Sequence, residues 1–278
     1  MKILAASLAV ALFTSACGPA PVAATTPAGA PAGAPAPAPP LTPALTPAGA
    51  QALVDAADRS DDDRKIDHGR HPAETLTFFG IAPGMKVAEL MAGGGYTAEL
   101  LARAVGPTGV VYGQNSHLIL GRFADKPWSA RLAKPVMKNV VRADRELEDP
   151  LPPEAKDLDA VFMVLFYHDT VWQKVDREKM NHAVFQALKP GGVFAIIDHS
   201  GRPGTGVSEA QTIHRIEEKV VREELEHAGF KLAGEASFLR NPADTRDWND
   251  SPREAADRRG TSDRFVLKFV KPVTPPGG

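Results

Sequence analysis

The chain has 278 residues, with 32 Lys and Arg against 34 Asp and Glu and a net charge of −2. Near-neutral charge with interspersed signs excludes a general nucleic-acid binder, which carries a basic face. A single cysteine excludes an intramolecular disulfide, so the folded part must stand on its apolar core alone.

In chain order, residues 1–16 hold one lysine, an apolar run over 3–13 and then small residues. That is the pattern of a secretory signal. It is too short to cross a bilayer core of about 30 Å, which takes a helix of about 20 residues. Cys17 follows Thr14-Ser15-Ala16, which resembles a bacterial lipobox. The resemblance implies lipidation at Cys17, export, and a periplasmic lipoprotein that meets the membrane through its lipid anchor only. Residues 17–45 are nearly all Pro, Ala, Thr and Gly and read as an extended tether. Residues 46–273 are expected to form one domain, and 274–278 a tail.

Pro47 opens a short helix expected to run to about residue 58. The run Asp61-Asp62-Asp63 reads as a solvated loop. A second helix is expected over 72–79, closed by Gly80. Residues 86–90 read as a strand that carries Glu89 and breaks into Gly93, Gly94 and Gly95. The segment 96–105 follows with Ala98, Leu101, Ala102 and Val105 at helical spacing. Strand, glycine-rich turn and helix is where an α/β sheet lets its backbone approach a nucleotide-like ligand. Further strands are expected at 110–113, at 140–143 before Asp144, at 160–166 and at 193–197. The 160–166 run is apolar without alternation, as in a strand covered on both faces. Met180, Ala183, Val184, Ala187 and Leu188 mark the helix before the last of these. Ser208 and Gln211 predict a capping box for one helix through Ile213, Ile216 and Val220 to Gly229. Strands at 230–232 and 264–270 close the domain with an antiparallel edge. Residues 240–263 form a polar connection long enough to serve as a lid. The alternation predicts an α/β, mostly parallel sheet with an antiparallel last strand and helices on both faces.

Three phrases, VAELMAGGGYTAELLA at 87–102, DAVFMVLFYHD at 159–169 and ALKPGGVFAIID at 187–198, resemble the class I S-adenosylmethionine-dependent methyltransferases, whose sheet is Rossmann-like. The resemblance covers roughly residues 72–272. Tyr167-His168-Asp169, His214-Arg215-Ile216 and Thr261-Ser262-Asp263-Arg264 are similar to local marks of a bacterial group of exported methyltransferases. The resemblance implies S-adenosylmethionine as cofactor and a small-molecule or envelope acceptor. It implies that Glu89 contacts the methionine portion, and that Ala92, Gly93 and Gly95 form the close-approach turn. Asn115 falls where the family places an acid on the ribose, Asp144 near the adenine amine, and Met91 at the usual first glycine.

His168 is the expected general base, since an imidazole titrates near neutrality. Asp169 would orient it or touch substrate, and Tyr167 completes the catalytic cluster. His199 is a second candidate base, while His214 and Arg215 read as surface or lid-facing groups. Arg70, Asp244, Arg246, Asp247 and Trp248 are candidates for closing over the pocket. His68, His71, His168, His182, His199, His214 and His227 are scattered, so no metal site is expected from spacing. Two other functions compete: a non-catalytic ligand-binding envelope lipoprotein on the same fold, and an NAD-dependent oxidoreductase.

Overall fold

The computed structural model describes residues 43–273. The signal segment, Cys17, nearly all of the tether and the tail lie outside the described residues.

Helix α1 (Pro47–Val54) starts on Thr46, whose hydroxyl accepts the Gly49 amide, and stops short of residue 58. The acidic run is not a solvated loop. Ser60 accepts the Asp63 amide at 3.2 Å and begins α2 (Asp61–Arg70), with all three aspartates in its first turn. Acids there complement the helix dipole, and Asp63 is buried against Arg131 at 2.7 Å. Helix α3 (Pro72–Phe79) ends on Gly80 at φ 75°, as expected.

Five parallel strands follow: β1 (Lys86–Leu90), β2 (Val110–Asn115), β3 (Val140–Asp144), β4 (Leu158–Val164) and β5 (Leu188–His199). With β6 (Lys231–Ala236) and β7 (Arg264–Val270) they make a seven-stranded sheet in the order β3-β2-β1-β4-β5-β7-β6. Only β7 runs antiparallel to its neighbours, so the expected mostly parallel sheet with a reversed last strand is what the chain forms. The chain leaves β1 towards β2 on one side and returns to β4 on the other. Such a switch point opens a crevice outside the carboxyl ends of the strands.

Helix α4 (Tyr96–Val105) packs its apolar stripe on the sheet. Between β2 and β3 lies a helical stretch absent from the sequence reading: α5 (His117–Ile119), a π-helical turn (Leu120–Ala124) and α6 (Asp125–Leu132). It carries the fully buried Trp128. Helices α7 (Asp169–Trp172) and α8 (Arg177–Ala187) separate β4 from β5.

The single late helix is corrected. The chain makes only α9 (Ala210–Ile213), turns at His214 with φ 56°, and restarts as α10 (Glu218–His227). The interruption has a cause in hydrogen bonding. Ile216 donates to the His199 carbonyl at 3.1 Å and accepts from Gly201 at 2.8 Å, a short bridge that extends β5. The Ser208 hydroxyl donates back to the Thr205 carbonyl instead of capping a helix.

Candidate functional site

The glycine turn is held from behind by β2. Gln114 receives the Met91 amide on its side chain at 2.9 Å and the Ala92 amide on its carbonyl at 2.8 Å. The Asn115 side-chain oxygen accepts the Gly93 amide at 2.8 Å, and its NH2 donates to the Gly93 carbonyl at 3.2 Å. Met91 stands at φ 56°, a left-handed conformation that glycine adopts without strain.

Two expected cofactor contacts, Asn115 and Asp144, have partners within the protein. Asn115 is fully buried and its amide is spent on bracing the turn, so it is not presented to a ribose. Asp144 pairs with Arg142 at 2.8 Å on the sheet surface and does not line the cavity described below. Gly95 has a different reason to be glycine from the one expected. At φ 83°, its missing Cβ would fall 2.3 Å from the Trp128 ring. Gly93, at φ 56°, has nothing within 4 Å of that position.

Above the carboxyl ends of β1, β4 and β5 lies an open cavity of about 1200 Å³. Pockets for one small ligand run to about 300–1,000 Å³, so two reactants fit. Ala92, Gly93 and Glu89 line one end. Glu89 is buried and its Oε2 has no hydrogen-bond partner among the described residues. Burial pushes its pKa up to about 8, against the opposing influence of Thr97, Arg70 and the Ala98 amide. Phe123, 60 % exposed on the π-helical turn, and Arg122 also face this space. Sequence reasoning missed both; an exposed phenylalanine beside a ligand turn is the only trace they leave.

At the other end stands His168. Its Nδ1 lies 2.7 Å from Asp198 Oδ1, and its Nε2 lies 3.1 Å from Asp169 Oδ1 and 3.2 Å from His214 Nδ1. Asp198 also accepts the amides of His168 and His199 at 2.7 and 2.8 Å. Burial disfavours an imidazolium, but the Asp198 and Asp169 carboxylates outweigh it and push the His168 pKa up to about 10. Asp169 is held well below the usual carboxylate range despite burial, chiefly by the charge of His168. The expected neutral base is therefore protonated near neutrality when nothing else occupies the cluster.

His199 lies with its ring 5.4 Å from that of His168. Burial lowers its pKa to about 4 although Asp250 pairs with it, so it stays neutral. Tyr167 does not reach the cavity. It is fully buried, donates to Glu224 at 2.7 Å and accepts from Asn181 at 2.8 Å. His214, expected at the surface or facing a lid, lines the cavity, and its ring closes the cluster. Arg215 is fully buried, pairs with Asp244 at 2.8 Å and stacks 4.8 Å from the Trp248 ring. Asp244 and Trp248 thus pin the 240–263 connection, and Arg246 does so through Asp263 at 2.8 Å. The cavity wall from this connection is Asp250, Ser251, Pro252, Arg253, Arg259 and Gly260.

No known family model matches the chain. Solved structures do share its fold. A SAM-dependent methyltransferase from Aquifex aeolicus superposes with a TM-score of 0.52 at 20% identity, over 82% of this chain and 99% of that one. A chain of the Haloferax volcanii complex containing the Trm112 methyltransferase activator gives 0.52 at 18%, over 81% and 97%. The [4+2]-cyclase SpnF gives 0.50 at 15%, over 76% and 81%. Identities this low show the fold alone, and the fold is the Rossmann-like methyltransferase fold.

Proposed function

We propose that the chain is an S-adenosylmethionine-dependent methyltransferase acting on a small-molecule or envelope acceptor that carries negative charge. One observation carries the reading. The open Gly93 position and the unpartnered Glu89 oxygen face the same end of a cavity large enough for two reactants. The cofactor supplies a methyl group on a cationic sulfonium, and a cation near Glu89 would recover the charged form that burial suppresses. Arg70 lines the cavity with no ion-pair partner among the described residues and suits the carboxylate of the methionine portion. Phe123 offers a ring face to the adenine.

The cavity lining is basic: seven lysine and arginine side chains stand against three acids, Glu89, Asp169 and Asp250. An oxygen that arrives already ionised needs alignment rather than a base for an in-line displacement. Cys17 would tether the enzyme to a membrane by its lipid, outside the cytoplasm; a palmitate analogue should label the wild type and not Cys17→Ala.

The inward turn of Asn115 favours a second reading, a non-catalytic binding protein on the same fold. Fold alone does not fix chemistry, and the cyclase among the similar structures carries a different reaction name. Calorimetric titration with S-adenosylmethionine, S-adenosylhomocysteine and NAD separates the readings. Micromolar binding of the first two, lost in Gly93→Val, is expected. Binding of none by folded protein leaves the second reading standing, and binding of NAD alone points to an oxidoreductase.

A further inference from the structure

We propose that His168, His214 and Asp169 bind a divalent transition-metal ion, as two imidazoles and one carboxylate on a single face. The inference stands on these side chains and does not rest on the cofactor reading.

The geometry comes first. His168 Nε2, His214 Nδ1 and Asp169 Oδ1 are separated by 3.1, 3.1 and 3.2 Å. Three atoms so spaced share one point about 2.1 Å from each, the length of a metal bond to imidazole or carboxylate. All three residues line the cavity, so further coordination positions face open space. Two histidines and a carboxylate with open positions suit iron(II) or zinc.

The surroundings fit the same conclusion. Asp198 is held by two backbone amides and faces His168 Nδ1. That contact places the proton on Nδ1 and aims the Nε2 lone pair into the cluster, as carboxylates behind metal-bound histidines do. Trp172 Nε1 donates to Asp169 Oδ1 at 2.7 Å and fixes its rotamer. Asp169 and Asp198 together carry the two negative charges that balance a divalent ion.

The chain also goes out of its way to bring His214 here. It stands at φ 56°, where a histidine is strained, and strain of this kind gathers at functional sites. Its neighbour Arg215 is locked to Asp244, and the Asp250 amide donates to the Ile213 carbonyl at 3.2 Å. One proton can bridge two of the three converging atoms but not all three; an ion can. Such an ion would take an oxygen of the acceptor as a further ligand and polarise it.

The competing account is an imidazolium between two aspartates with no affinity for metal. Cobalt(II) distinguishes them through its visible absorption. The protein, stripped with chelator and carrying Cys17→Ala so that the lone thiol contributes nothing, is titrated with Co2+. One saturating equivalent with visible bands is expected. Asp169→Asn should weaken it at least tenfold and His214→Gly should abolish it. Glycine accepts the left-handed backbone, and an unchanged urea midpoint and circular dichroism show that the variant folds. Asp198→Asn should cost about 10–100-fold, as loss of a supporting carboxylate does. No saturable band, or equal binding by His214→Gly, overturns the site. Cofactor titration of the same samples is a separate readout: metal bound without S-adenosylmethionine would sink the proposed function and leave this site intact, and the reverse result would sink only this site.

Discussion

Gly93 and Gly95 sit two residues apart in one turn, yet the structure requires glycine for different reasons, and alanine should separate them. At Gly95 the new Cβ would meet Trp128 carbons at 2.3 and 2.6 Å and the Arg131 side chain at 2.8 Å. Trp128 has no exposed surface and nowhere to move. The left-handed backbone costs about 1–2 kcal/mol for a residue with a Cβ, and overpacking a filled core costs about 1–3 kcal/mol. Gly95→Ala should therefore lose about 2–5 kcal/mol. With an m-value of about 3 kcal/mol/M, the urea midpoint would fall by roughly 1 M. At Gly93 the new methyl meets nothing, so Gly93→Ala should cost only the backbone term, about 1–2 kcal/mol. Its methyl projects where the cofactor is proposed to lie, so its S-adenosylmethionine affinity should fall at least tenfold. Paired urea melts and calorimetry on the two variants make the comparison. Equal destabilisation would refute the claim that Trp128, rather than the ligand, dictates glycine at 95.

The remaining expectations concern charge and anchoring. Glu89 has an ordinary value of 4.5 raised to about 8 in the fold. Between those values the folded state binds more protons than the unfolded one. Its contribution is complete below about pH 4.5 and is lost as the pH rises to 8. Glu89→Gln should therefore gain stability relative to wild type at pH 8–9 and match it at pH 4, as urea melts across pH would show. Binding a cationic ligand beside Glu89 should release a proton at pH 6–7, visible as a binding enthalpy that varies with buffer ionisation enthalpy. Tyr167→Phe should destabilise by about 1–3 kcal/mol, the cost of leaving buried partners unsatisfied, without changing cofactor affinity; a tenfold loss of affinity would restore Tyr167 to the site. Arg215→Met strands Asp244 and should cost about 3–5 kcal/mol, with new proteolytic cuts within 240–263 under native conditions.

What the sequence made legible is what depends on local pattern. The strand–turn–helix at 86–105, the buried strand expected at 160–166 and formed at 158–164, and the reversed last strand follow from period and from glycine placement. His168 and Asp169 were found because a strand ends beside them. What stayed hidden depends on partners far away in sequence. Asp63 looked solvated because Arg131, its partner, is 68 residues on. Asn115 looked like a ribose ligand because nothing local reveals that it closes back on Gly93. The stretch 117–132 has no clean helical stripe, since it is exposed along most of its length and buried chiefly at Ile119, Leu120, Ala124 and Trp128. His214 reads from sequence as a surface or lid-facing residue because the capping pattern at Ser208 suggests a continuous helix. The bridge between Ile216 and Ser200 overrides that local preference, and this tertiary bond is what carries the imidazole to His168.

Net charge misled in an instructive way. A chain at −2 gives no hint of an anion site, because composition counts acids and bases wherever they lie. In the fold, many acids are consumed by internal pairs: Asp63 and Glu99 on Arg131, Asp67 on Arg59, Asp244 on Arg215. Arg70, Arg122, Arg253 and Arg259 are left facing the cavity without ion pairs among the described residues. The sheet edge therefore presents a local positive potential that the average conceals. The same sorting explains the cluster at His168. Asp169 lines the cavity and Asp198 lies buried behind His168, and a pair of carboxylates converging on one imidazole calls for a positive charge at its centre. A proton supplies one unit. A divalent ion supplies two, and it would hold His168, His214 and Asp169 together.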